Sequence, residues 1–141
     1  MSKGDTTENN ILKLIFNATT WADVAENDTT GPAANLTVAL HTGDPGEAGT
    51  QLTSETAYTG YVRVSVARTA GGWTVTNNSV SPVANIDFAE CTAVPGAALT
   101  HFSVGTGVAD MLLYSGTLTP NVTMAVGVIP RVKTTSTITE D

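Results

Sequence analysis

A mainly β, antiparallel fold of the sandwich or jelly-roll kind, preceded by one short helix, is what this sequence predicts. Three observations carry that reading. Thr, Ala, Val and Gly dominate, and charged residues make up only 13% of the chain, well below the ~25% of an average domain. Thr and Val favour pleated surfaces, while Gly and Pro punctuate turns. Short β-prone runs are separated by turn signals every ~8–12 residues. A third observation is negative: there is no βαβ alternation, heptad or internal repeat, which argues against a parallel nucleotide-binding sheet.

The elements follow in order. Met1 to Asn10 is polar, and Asp5 with Glu8 three places on resembles a helix start. Ile11, Leu14, Ile15 and Ala18 then share one helical face, with Leu12 and Phe16 on the face beside it. Thr19 to Ala25 is expected to form a second helical turn or a loop, with Trp21 folding over the core, and Glu26 to Ala34 a connection. Leu36–Leu40 reads as a buried strand. His41-Thr42-Gly43-Asp44-Pro45-Gly46 breaks it, and a long loop runs on to Thr59. Tyr61–Arg68 alternates with period two, placing Val62, Val64 and Val66 on one face. Thr69-Ala70-Gly71-Gly72 reads as a hairpin turn answered by Trp73–Thr76, and Asn77-Asn78 as another turn.

Ser81-Pro82 is read as a break. Ile86, Phe88 and Cys91 mark a further strand, and Pro95-Gly96 a turn. Leu99–Val104 and Met111–Leu118 read as strands separated by a turn over Gly105–Asp110. Thr119-Pro120-Asn121 is expected to turn into Val122–Val126, and Gly127–Pro130 to bend. Arg131–Ile138 alternates as a last strand. The expected organisation is an N-terminal arm and helix over residues 1–34 and a β-sandwich domain over 35–141, one globular unit overall.

At 141 residues the chain is long enough for its own core. Its formal net charge of −7 repels both free nucleic acid and an anionic membrane, so neither is an expected partner. No apolar run approaches the ~18–20 residues of a membrane span. Met1-Ser2-Lys3-Gly4-Asp5 is not followed by a signal-peptide apolar region, so synthesis in a cytoplasm is expected. The single cysteine, Cys91, excludes an intrachain disulfide and reads as a small buried residue.

Leu-His-Thr-x-Asp-Pro-Gly-x-x-Gly from Leu40, Ala-Tyr-Thr-Gly-Tyr-x-Arg from Ala57, and Gly-Gly-Trp from Gly71 are distinctive as text. Together they resemble a family of small tailed-phage virion proteins. Some of these are described as tail fibre proteins and others as capsid cement, or decoration, proteins. The resemblance runs from the Ile11–Phe16 helix to Val132. It implies a non-enzymatic virion component, first of all a cement protein on the capsid surface that bridges major capsid subunits, with homotrimeric self-association. The alternative it implies is a tail or tail-fibre component that binds a host glycan or a neighbouring tail protein.

Residue patterns for chemistry point the same way. His41, Asp44 and Glu47 are close in sequence but match no closed metal site; calcium loops need a denser acidic set and zinc more His or Cys. His41 and His101 have no Gly-x-Ser-x-Gly elbow to serve. Glu47, Glu55, Asp87 and Glu90 supply carboxylates for glycoside cleavage only if the fold gathers them in one cleft. No cofactor is expected. Tyr58, Tyr61 and Trp73 are expected to cluster beside Arg63, and residues of these types are enriched at interface centres. The expected subunit-contact set is therefore Ile11, Leu14 and Ile15 on the helix, His41 and Asp44 in the loop, and Tyr58, Tyr61, Arg63 and Trp73.

Overall fold

The computed structural model describes residues 5–21, 33–107 and 109–140. Its elements are α1 (Asp5–Asn17), β1 (Asn35–His41), β2 (Val64–Ala67), β3 (Trp73–Thr76), β4 (Ser79–Pro82), β5 (Ile86–Asp87), β6 (Leu99–Gly105), β7 (Leu112–Val122), β8 (Arg131–Val132) and β9 (Ile138–Thr139). The class is mainly β, with antiparallel pairings and one short N-terminal helix, as a β-sandwich requires. The strands form a four-stranded sheet in the order β2-β1-β6-β7, a three-stranded sheet β3-β4-β9 and a two-stranded sheet β5-β8.

Contacts divide the chain into two compact units. One comprises Met1–Asn35, Val66–Asn85 and Lys133–Asp141; the other comprises Leu36–Ser65 and Ile86–Val132. Within the first unit, α1 packs on β3 and β4.

In the first unit, Leu12 and Phe16 of α1 are wholly buried, one turn apart, where the helix packs on β3 and β4. The Phe16 and Trp73 rings meet edge-on with centroids 4.9 Å apart. Burying such side chains contributes about 1.5–3 kcal/mol each. That contact sets the rotation of the helix. Its deepest stripe is therefore Leu12 and Phe16, with Ile11, Leu14 and Ile15 half-buried beside them and Ala18 exposed past the helix end. β3 and β4 form a hairpin in register Trp73↔Pro82 to Thr76↔Ser79, closed by Asn77-Asn78 with Asn77 left-handed at φ 54°. β9 adds to its other side through Val80↔Ile138.

The C-terminus of α1 leaves carbonyls without intrahelical partners. Ala18, left-handed at φ 51°, turns the chain so that the Thr19 N–H reaches the Lys13 carbonyl at 3.1 Å. The Arg68 guanidinium serves two more carbonyls of the last turn. Its Nε donates to the Ile15 carbonyl at 2.7 Å, Nη2 to Leu14 at 3.0 Å and Nη1 to Ala33 at 2.9 Å. A planar cation with donors in a fixed fork suits that cluster of carbonyls and the negative end of the helix dipole.

In the second unit, β1 lies inside its sheet and is buried over Val38–His41 on both faces. A continuous apolar run rather than an alternating one is what such a central strand needs. β6 pairs with it from Thr37↔Gly105 to His41↔His101. Leu36, Leu40, Tyr58, Ile86, Phe88, Cys91, Leu99, Val104, Met124 and Val132 complete this core.

Five local expectations are corrected. The strand expected over Tyr61–Arg68 begins only at Val64, and Val62 is 62% exposed; Tyr61 and Arg63 are drawn to a carboxylate, described below, and the pleat starts after them. Thr69–Gly72 is a turn between strands of different sheets rather than a hairpin. It is tight enough that a Cβ on Gly72 would lie 2.1 Å from the Ala67 carbonyl oxygen. Pro82 ends β4 opposite Trp73 instead of breaking the chain. Pro120 lies within β7, at the sheet edge where no ladder bond is lost, and the ladder shifts register between Leu99 and His101. Arg131–Ile138 divides into β8 and β9, with a turn closed by Ser136 N–H to the Lys133 carbonyl at 2.9 Å. Most of the segments expected over Thr19–Ala25 and Glu26–Ala34 lie outside the described residues; Trp21 itself is half-buried.

Arg68→Ala is expected to destabilise the protein by about 2–3 kcal/mol, because it strands three carbonyls at once. Urea unfolding followed by circular dichroism measures it, and a loss below about 0.5 kcal/mol would remove the clamp from this account.

Candidate functional site: a braced loop on the central strand

The loop after β1 returns alongside the strand it leaves. The Thr42 N–H donates to the Ser54 carbonyl at 2.8 Å and the Thr56 N–H to the Leu40 carbonyl at 2.9 Å, with an antiparallel bridge between His41 and Glu55. At its tip, Asp44 Oδ1 accepts the Gly46 N–H at 2.9 Å, the side-chain turn that Asp favours.

Beneath the loop lies a chain of buried polar groups. The Thr53 carbonyl can only accept, so His41 Nδ1 is the donor at 2.9 Å. The neutral ring then accepts at Nε2 from the Ser103 hydroxyl at 2.8 Å. Ser103 Oγ accepts in turn from Gln51 Nε2 at 3.3 Å. Gln51 Nε2 also donates to the Thr37 carbonyl at 3.0 Å, and its Oε1 accepts from Thr37 Oγ1 at 2.7 Å. His41, Gln51 and Ser103 have no exposed surface. Burial pushes the His41 pKa below its ordinary 6.5, against the Thr53 bond and the Glu55 charge, which pull it up. Gly105 makes room for the arrangement: a Cβ there would lie 2.2 Å from the Met111 carbonyl oxygen and 2.5 Å from Gln51 Cδ.

A second cluster ties the end of the loop. Arg63 makes a two-pronged pair with Glu55, Nε to Oε1 and Nη2 to Oε2, each at 2.7 Å. Its Nη1 reaches Asp110 Oδ1 at 2.6 Å. The Tyr61 hydroxyl donates to Glu55 Oε1 at 2.7 Å and accepts the Leu40 N–H at 3.2 Å. The Glu55 hydrogen bond, then Asp110, hold the Arg63 guanidinium further above its usual range, and burial raises Tyr61. Tyr61 meets the Tyr58 ring at 5.4 Å and stacks on Phe88 at 6.2 Å, while the Tyr58 hydroxyl donates to the Ala89 carbonyl at 2.7 Å.

The expected contact residues thus fall into distinct places. His41, Tyr58 and Trp73 lie inside the chain, with partners of their own. Trp73 packs with Phe16 and does not join the tyrosines. Tyr61 and Arg63 are part-buried in the Glu55 cluster, Asp44 is exposed at the loop tip, and Ile11, Leu14 and Ile15 are half-buried on α1. Gln51, Ser103, Thr37 and Asp110 were not legible, because their partners lie 14 to 62 residues away. Glu55 and Asp87 each bind an arginine, Asp87 through a two-pronged pair with the exposed Arg131. Ser103 and His41 stand as a nucleophile and base would, but a backbone carbonyl occupies the orienting carboxylate's place and neither side chain reaches solvent. What the arrangement does chemically is hold the loop.

A family model described as Podophage GP4 fiber I protein gp80 matches residues 2–139 of the chain. No curated protein matches it.

Gly105→Ala is expected to cost about 1–3 kcal/mol by forcing Gln51 out of place, read as a lowered urea midpoint with little change in slope. His41 gives a pH signature. Its folded pKa is depressed, so the unfolded state binds the proton first. The stability it contributes is complete above pH 6.5 and declines as pH falls through the window below that value. Unfolding free energy at pH 7.5 and 5.5 should fall more in the wild type than in His41→Gln; equal falls would show that the ring does not titrate in this way.

Proposed function

The chain belongs to the podophage GP4 fiber I protein family, a family of phage structural proteins, and from that premise we propose that it is a building block of the particle acting through contact rather than catalysis. One observation supports this most directly. The side chains that resemble reactive groups, His41, Ser103, Glu55 and Arg63, are engaged with one another and with the backbone, and together they stiffen a surface loop. A stiff loop on a β framework loses little freedom when it meets a partner.

Two placements give this reading its finer form. In the cement form, copies associate as homotrimers on the capsid surface and straddle junctions between major capsid subunits. Area buried there would be lost on expansion of the shell, which makes rupture more costly. Broad, charge-poor, hydroxyl-rich surfaces favour that form. In the fibre form, the chain joins a neighbouring tail protein, as the family's description suggests.

Heads and tails separated from disrupted virions and quantified by mass spectrometry test the proposal. Recovery with heads is expected for the cement form and recovery with tails for the fibre form. Absence of the protein from both overturns the structural reading.

A further inference from the structure

We propose that the braced loop is itself a docking element, with Leu52 and the neighbouring Met111 as its apolar contacts, and that it binds a basic surface of another virion protein offering an apolar socket. This inference rests on the reading of the chain as a particle subunit.

Leu52 is 62% exposed and Met111 51% exposed, and apolar side chains grouped on a surface, unlike single ones, mark contact sites. The backbone segments that carry them are pinned together one residue before each. The Gln51 N–H donates to the Asp110 carbonyl at 2.9 Å, and Leu52 and Met111 are the residues that follow each. Both stand on anchored backbone. Gln51 is wholly buried in the hydrogen-bond chain to Ser103 and Thr37. Asp110 is held by Arg63. Further turns fix Leu52 locally: its N–H donates to Thr50 Oγ1 at 3.3 Å and its carbonyl accepts the Glu55 N–H at 3.3 Å. Two apolar side chains presented on pre-ordered backbone are what a contact centre needs, since little ordering remains to be done on binding.

Charge selects the partner. All three arginines are engaged within the chain: Arg63 by Glu55 and Asp110, Arg131 by Asp87, and Arg68 by main-chain carbonyls. The net charge of −7 already counts these arginines, so the exterior as a whole is acidic. The loop also carries Asp44 and Glu47, both exposed, with no ion pair among the described residues. A second copy of the chain would bring like charges together at this loop. Lysine and arginine side chains around an apolar pocket complement it, and they speed association in a salt-dependent way.

Rebinding tests this. Purified protein is added to particles made without it, and bound protein is quantified at about 50 and about 300 mM NaCl, a range over which screening shortens markedly. The wild type is expected to bind, more weakly at the higher salt. Leu52→Asp and Met111→Gln are expected to bind at least about tenfold more weakly, with urea midpoints unchanged because both side chains are exposed. Glu47→Lys is expected to bind more weakly and to lose part of the salt dependence. Wild-type binding that both apolar variants match, or that salt leaves unchanged, overturns the docking inference while the subunit reading stands. Absence of the wild-type protein from native particles overturns the subunit reading and this inference with it.

Discussion

A neutral histidine ring suspended between a loop carbonyl and a strand hydroxyl is the interaction on which the rest of this structure turns. His41 closes β1, Thr53 sits in the loop, and Ser103 and Gln51 extend the chain of bonds back to Thr37. Each polar side-chain atom in the series has a partner, and His41, Gln51 and Ser103 are wholly buried. Removing one member leaves others buried and unsatisfied, at about 1–3 kcal/mol each. The series therefore behaves nearly as one unit, present whole or costly in pieces. It gives a long polar loop the rigidity of the sheet beneath it.

Arginine is used the same way at three places. Arg63 clamps the loop's return to Glu55 and Asp110, Arg68 closes the C-terminus of α1, and Arg131 faces Asp87 across β5 and β8. The first two are part-buried and fork-shaped, the geometry in which arginine is most effective. The third is exposed at both partners and counts for little in stability. The consequence is electrostatic as much as structural. With six basic residues against thirteen acidic ones, the protein presents a net acidic exterior to whatever it meets.

These features give physical content to membership of a phage fibre family. A subunit that acts by contact, as proposed above, needs stiff surfaces and complementary partners more than it needs a cleft. The resemblance of Ser103 and His41 to a catalytic pair illustrates why function is argued from the site and not from residue types. Hydroxyl, imidazole and carboxamide serve a buried hydrogen-bond chain as well as they serve catalysis, and burial distinguishes the two uses.

What the linear chain determined by itself was local. The apolar run of β1, the position of the helix, the Asp44 turn, the buried Cys91 and the mainly β antiparallel class follow from composition, periodicity and turn chemistry, which act between near neighbours. Tertiary structure decided whatever depends on residues far apart meeting. Phe16 against Trp73 chose the buried stripe of α1; Glu55 took Tyr61 and Arg63 and shortened the strand that follows. β4 and β5 drew the two ends of the alternating run after Pro130 into different sheets. The bond from Ser103 to Gln51 joins residues 52 positions apart, and no periodicity in a sequence encodes a contact that exists only once two strands and a loop have been brought together.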